Sequence, residues 1–376
     1  MLKRHQIAWL AAVFVSFLSI PSLLIPAVAD EHWEIQYSYK QIDSTLTIND
    51  MAFPNQTRGI ACGFTTDRKQ KDHPVVLLTN DGGQNWTETP IKEACLSLFF
   101  LPDEAGWMVT DTGLWTTEEG GRSWVKAKVS PANVLRVWFL DHQHGFAAGR
   151  QKHVFETKDG GVTWTPLEAA TEAPGDPLYT TYGDIVFDGK KGIISGWNIP
   201  PQRGGPDWMD PAKAKEAKQV PHVSILLQTK SGGEKWDQTH VSLFGQITRM
   251  SLSSANIGLG LVEFKDEFDY PSEVYRLDTT TGANELAFRA KNRAITDIRL
   301  FSGSSRALMV GYETNGPVYR SPIPGKLKVL TSTNQKEWTE MTVDYRAVAH
   351  SALLTGPDDQ HVWIATDTGL ILHLVQ

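Results

Sequence analysis

An eight-residue phrase recurs along this chain, and it limits the fold more than any other feature. It reads Thr79-Asn80-Asp81-Gly82-Gly83-Gln84-Asn85-Trp86, then Thr117-Glu118-Glu119-Gly120-Gly121-Arg122-Ser123-Trp124. It returns as Thr157-Lys158-Asp159-Gly160-Gly161-Val162-Thr163-Trp164 and Thr229-Lys230-Ser231-Gly232-Gly233-Glu234-Lys235-Trp236. A decayed copy runs from Thr331 to Trp338, and an eroded one from Leu277 to Gly282 without the tryptophan. Repeats at such intervals mean one small unit built many times, each unit needing its neighbours to bury its apolar face. The phrase has the chemistry of a hairpin corner. A hydroxyl or carboxylate accepts amide hydrogens inside the turn, a glycine pair supplies backbone with φ > 0, and a tryptophan opens the outgoing strand. Asp81, Gly83, Trp86, Gly121, Trp124, Asp159, Gly161, Trp164, Gly233, Trp236 and Trp338 are therefore read as structural residues. Glu119 and Ser231 stand where the other copies have Asp, as a structural role tolerates.

Two or three short segments rich in Val, Ile, Leu, Phe and Trp precede each phrase, separated by Gly and Asp turns. Seven such units fit between Gln41 and Gln376, and the last runs out of chain one strand short. Residues 31–39 alternate like a strand ahead of the first unit. Adding them to the last unit closes a ring and removes two open sheet edges. The expected fold is all-β: a seven-bladed propeller closed by its N-terminal strand, with Trp33 standing where a phrase tryptophan stands elsewhere.

The phrase matches the Asp-box of sialidase-like and related propellers. With an export signal and segments such as Gly106-Trp107 and Gly145-Phe146-Ala147-Ala148-Gly149 ahead of a box, the chain resembles the photosystem II stability/assembly-factor family of BNR, or Asp-box, repeat proteins. That resemblance covers nearly the whole chain after the leader. It implies an exported, non-enzymatic protein that binds membrane-protein partners during assembly. It carries no functional residue over, and a lipid-attachment cysteine does not follow the leader.

Residues 1–29 read as a secretory signal: Lys3 and Arg4 lead, an apolar run follows, and Ala27-Val28-Ala29 offers a cleavage site. Residues 30–376 are then one propeller, periplasmic or secreted, or in the thylakoid lumen if the source is photosynthetic. No later stretch is apolar enough to span a bilayer. Cys62 and Cys95 would meet an oxidising compartment, either bridged or as two buried small side chains. The net charge of -7 carries no footprint for nucleic acid.

Unit length points to the binding face. Turns between the second and third strands, and the connections between units, share the end of the ring opposite the boxes. Residues 198–222 form an insertion there, with Arg203, Asp207 and Trp208. Asp266 and Tyr270 lie on the corresponding turn of the fifth unit, Tyr319 and Arg320 on that of the sixth. These seven are the candidate binding residues, for a protein partner, itself a membrane protein or part of an envelope complex. No catalytic residue, metal or cofactor is expected, since no P-loop, dinucleotide fingerprint, nucleophile elbow or zinc motif is present. The alternative is a glycan-binding or sialidase-like hydrolytic propeller with a carboxylate pair in its channel.

Overall fold

A computed structural model describes residues 31–201, 221–264, 270–315 and 321–376. Its strands form seven sheets arranged as blades. Ser44–Ala52, Gly59–Asp67, Asp72–Thr79 and Thr87–Pro90 make blade 1, hydrogen-bonded in sequence order from the channel outwards. Blades 2 to 6 repeat this plan, their innermost strands being Cys95–Phe100, Val134–Phe139, Thr180–Asp188, Gln246–Ser253 and Arg293–Leu300. Blade 7 takes Ala352–Thr355, Trp363–Thr366 and Leu370–Val375 from the end of the chain. Its fourth strand is His32–Ser38, antiparallel to Leu370–Val375 with Trp33 opposite Leu374. Thr342–Val343 adds a fifth, parallel to that strand.

Each box shows why its residue types recur. The Gly83 amide donates to Thr79 Oγ1 at 2.9 Å, and the Asn85 amide to Asp81 Oδ1 at 2.9 Å. The same pair of bonds links Gly161 to Thr157 and Thr163 to Asp159 at 2.8 Å each. Ser231 Oγ replaces the carboxylate by accepting from the Lys235 amide at 3.0 Å, whereas Glu119 instead accepts from the Ser123 hydroxyl at 2.8 Å. The first box glycine then fastens the corner to the turn between strands one and two of its own blade. Gly82 donates to the Thr57 carbonyl, Gly120 to Glu104, Gly160 to Gln143 and Gly232 to Lys190.

The sixth box corrects the sequence alignment. Ser332, not Thr331, takes the threonine role, accepting from the Gln335 amide at 2.8 Å. Asn334 Oδ1 replaces the carboxylate by accepting from the Lys336 and Glu337 amides at 2.9 Å each. The corner is one residue tighter, and Gln335 takes the positive φ of 57°. The eroded fifth copy is a plain turn in which Asp278 Oδ1 accepts the Thr280 and Thr281 amides.

Box tryptophans pack between their own blade and the preceding one. Trp86 meets the ring of Phe53 edge-on with centroids 5.9 Å apart, Trp124 meets Phe100 at 6.0 Å, Trp164 meets Phe139 at 6.1 Å and Trp236 meets Phe187 at 6.0 Å. Each of these phenylalanines also lies over a glycine, Gly59, Gly106, Gly145 or Gly192, where a Cβ would sit within 2.5 Å of the ring. That contact explains the glycine–aromatic phrases ahead of the boxes.

The innermost strands of blades 1 to 6 each carry one break in register, at Ile48/Asp50, Cys95/Ser97, Val134/Arg136, Tyr182/Asp184, Ile247/Arg249 and Ile295/Asp297. A bulge turns the following side chain towards a new direction. It also brings a carbonyl against the neighbouring strand. A Cβ on Gly149 would lie 1.9 Å from the Asn133 oxygen, and one on Gly311 1.9 Å from that of Ala294. Gly149→Ala is expected to lower stability by about 2–3 kcal/mol, read as a shift in urea midpoint, because backbone rather than a flexible side chain must yield. An unchanged midpoint would show that the bulge is not rigid.

Candidate functional site

Alternating strand directions place the box corners at one end of the ring. The turns between strands two and three, and the connections between blades, lie at the other, here called the interblade face. Of the seven candidate binding residues, Arg203, Asp207, Trp208, Asp266, Tyr319 and Arg320 lie outside the described residues. Tyr270 lies within them, held by its own chain: the Arg289 guanidinium carbon sits 4.7 Å from its ring centroid and Lys291 Nζ 5.5 Å.

The structure adds residues that the sequence reading passed over. Among the described residues, Ile42, Val129, Leu178, Phe244 and Tyr345 are large apolar side chains left exposed, Ile42 at 94% and Tyr345 at 72%. Each stands in a connection between blades, from 7 to 1, 2 to 3, 3 to 4, 4 to 5 and 6 to 7 respectively. The available signal was weak, one apolar residue in a polar connection, as in Lys40-Gln41-Ile42-Asp43. A groove of about 390 Å³ opens on the same face between blades 2 and 3, walled by Asp111, Thr112, Pro131, Asn133 and Arg150.

One wall of that groove is braced from below. Glu93 accepts from the Thr110 hydroxyl at 2.7 Å, the Trp115 indole at 2.9 Å and Lys126 Nζ at 2.7 Å. Burial alone would raise its pKa, but the bonds from Lys126, Thr112, Trp115 and Thr110 outweigh it and hold the carboxyl down at about 2. A depressed folded pKa contributes stability above the ordinary value of 4.5, and that contribution disappears as pH falls from 4.5 towards 2. Glu93→Gln is therefore expected to flatten the fall in melting temperature across that window. Parallel curves for the two proteins would contradict the assignment.

The central channel, a cavity of about 500 Å³, presents a ring of charge that the sequence reading also missed. After the bulges come Asp50, Arg136, Asp184, Arg249 and Asp297, one per blade, with Ser97 completing the series in blade 2. Arg136 lies 3.5 Å from both Asp50 and Asp184, and Arg249 lies 3.7 Å from Asp297. The aspartates also latch blade to blade. Asp50 accepts the Leu98 amide at 2.9 Å, Asp184 that of Met250 and Asp297 that of Leu354 at 2.7 Å each. Burial pushes the Asp184 and Asp297 carboxyls up, opposed by the neighbouring guanidiniums and amides. These carboxylates are committed to holding the ring.

On the box face, His142 donates from Nε2 to the Asp103 carboxylate at 2.6 Å, which raises its pKa, and His144 pairs with Glu156 at 2.8 Å. Among the described residues no group of three or more metal-binding side chains converges. No helix among them is long and apolar enough to cross a membrane.

Seven sheets of four or more strands, box corners and a bulged, latched channel define a seven-bladed propeller with Asp-box corners, and its sequence is similar to photosystem II assembly factors. Residues 125–201 match the sequence profile described as photosynthesis system II assembly factor YCF48. Over 260 residues the chain is 21% identical to the photosystem II assembly lipoprotein Ycf48 of Synechococcus sp., covering 64% of this chain and 72% of that one. It is 23% identical over 260 residues to the photosystem II assembly protein Ycf48 of Thermosynechococcus vestitus, covering 64% and 69%. A solved structure described as YCF48 bound to D1 peptide shares the fold, with a TM-score of 0.57 at 15% identity over 92% of this chain and 97% of that one.

Proposed function

We propose that this chain is an exported, non-enzymatic propeller that binds a membrane-protein partner during assembly of a membrane complex. The interblade face is the contact surface. The observation that carries the reading is the concentration on that face of exposed apolar side chains together with a groove. Likeness to photosystem II assembly factors, and in fold to a YCF48 solved with a D1 peptide, supports a partner that offers a peptide segment of a membrane protein. The leader ends at Ala29, and the protein acts in the periplasm, outside the cell, or in the thylakoid lumen of a photosynthetic source. The hydrolytic alternative draws less support, because an acid/base pair needs carboxylates free to exchange protons with a substrate. Asp50, Asp184 and Asp297 are engaged by amides and guanidiniums.

Affinity capture from detergent-solubilised native membranes tests the reading. A membrane protein is expected among the captured partners. Trp208→Ala, and separately deletion of residues 202–218, is expected to reduce its recovery about tenfold, the scale of an aromatic anchor. Unchanged recovery would remove the insertion from the site.

A further inference from the structure

We propose that the outer edge of blade 4, the strand Asp237–Leu243, pairs with the same strand of a second copy of this chain, joining two propellers through one continuous sheet.

An outermost strand presents a row of amides and carbonyls without ladder partners, and native proteins keep such edges short, kinked or charged. The other blades do so here. The edges of blades 2, 3 and 6 are two residues long, Val125–Lys126, Thr165–Pro166 and Thr339–Glu340. The edge of blade 7 is Thr342–Val343, also two residues. Thr87–Pro90 in blade 1 has four residues and ends on a proline. Asn284–Arg289 in blade 5 is longer, but it carries Glu285 and Arg289 and a break in register between Leu286 and Phe288.

Blade 4 is the exception. Asp237–Leu243 pairs with His222–Thr229 over seven consecutive residues without a break, from Asp237 opposite Gln228 to Leu243 opposite His222. It contains no proline, lysine or arginine, and residues 237–242 are all exposed. Among the described residues no strand lies along its outer side. Gln238 Nε2 donates to the Ala169 carbonyl at 2.8 Å, a side-chain bond that leaves the main chain of the edge unused.

The residues of this edge specify its occupant. Pairing about a two-fold axis through His240 is antiparallel and self-complementary. It sets Asp237 opposite Leu243, Gln238 opposite Ser242 and Thr239 opposite Val241, each pair occurring twice. The one carboxylate of the strand therefore never faces its own copy. Thr239 and Val241 form cross-strand pairs of β-branched side chains, which pack well on a pleated surface, and Val241, 43% exposed in the single chain, is covered. A foreign extended segment would draw its specificity from pockets for alternate side chains, whereas the side chains of residues 237–242 all stand exposed. One strand pair is a small contact beside the roughly 800 Å² per partner of a standard interface, so the association is reversible and concentration-dependent.

Sedimentation velocity of the leader-free chain over a concentration series tests the proposal, since Glu31–Gln376 forms one compact unit by itself. A shift from monomer towards dimer is expected as the concentration rises to about 100 μM. Thr239→Lys with Val241→Lys sets lysine opposite lysine and is expected to leave only monomer, as is Thr239→Glu with Val241→Glu. An equal mixture of these two variants is expected to dimerise again, because lysine then faces glutamate. Leu286→Lys on the blade 5 edge is expected to leave the dimer unchanged. Cys62 and Cys95 are bridged, so His240→Cys adds a lone thiol. On the two-fold axis the opposed Cα atoms lie about 4.5–5.5 Å apart, within disulfide reach, and oxidation is expected to give a cross-linked dimer. Gln238→Cys, off the axis, is expected to cross-link at least tenfold less. A chain that stays monomeric throughout the series, a dimer indifferent to the lysine pair, or no recovery on mixing overturns the proposal. So does a monomer that dimerises only on deletion of residues 202–218, which assigns the edge to the chain's own insertion. A monomer that labels a different protein in native membranes from a crosslinking amino acid at Val241 assigns the edge to a foreign strand and overturns it as well.

Discussion

Trp33→Ala is expected to destabilise the protein by about 3–5 kcal/mol, the range for removing a large aromatic side chain from a core. Trp33 is 1% exposed and lies among Leu308, Val310 and Leu327 of blade 6 and Val362, Ile364 and Leu372 of blade 7. Its indole donates to Met341 Sδ at 3.5 Å, and its carbonyl accepts from the Asp344 amide at 3.1 Å. It thus fills between blades 6 and 7 the place that box tryptophans fill elsewhere, but from the opposite end of the chain. A bidentate pair from Arg306 to Glu31, at 3.0 and 2.6 Å, fixes the start of the same strand. Losing the ring also loosens the join that removes two sheet edges. Urea unfolding followed by far-ultraviolet circular dichroism measures the loss. Trp33→Phe keeps part of the packing and should recover part of the stability. A loss below about 1 kcal/mol for Trp33→Ala would mean that the ring does not depend on this strand.

Removing the bridge between Cys62 and Cys95 is expected to lower stability by about 3–4 kcal/mol, on the loop-entropy scale for a separation of 33 residues. The sulfurs are 2.01 Å apart and the Cα atoms 6.0 Å, joining the second strand of blade 1 to the first strand of blade 2. Both residues are buried, packed with Ile60, Val76 and Met108, so the pair closes the same interface that Trp124 covers. Cys62→Ser with Cys95→Ser, compared with the oxidised protein in matched urea series, gives the value. The comparison also bears on the compartment, because such a bridge persists where thiols are oxidised. Equal midpoints for the two proteins would indicate that the bridge contributes nothing in solution.

The blade plan was legible because its signals are local. A threonine, a turn acceptor, two glycines and a tryptophan in eight residues leave one hairpin corner to form, and four good copies fix the period. The sixth corner was misaligned for the same reason. Gln335 carries a positive φ that sequence assigns to glycine, and a shorter corner moved Ser332 into the threonine's role. The channel ring was passed over because a single Asp or Arg inside an apolar run, as in Tyr182-Gly183-Asp184-Ile185-Val186-Phe187, reads as an interruption. The bulge before it turns that charge into the channel, and period-two counting contains no bulges. The exposed apolar side chains of the connections were invisible for a different reason. Connections have no periodicity, so nothing local separates an apolar residue that tucks in from one that stays out. Leu167 and Leu178 share one connection, and only Leu167 is buried.

Photo-crosslinking in native membranes tests most directly whether the interblade face meets a membrane protein. A crosslinking amino acid at Val129, at Arg150 beside the groove, or at Tyr345 reports on that face. The same group at Glu118 or Val162 reports on the box face. The account predicts adducts with one membrane protein from the first three positions and none from the last two. Adducts from the box-face positions, with none from the interblade positions, would contradict it.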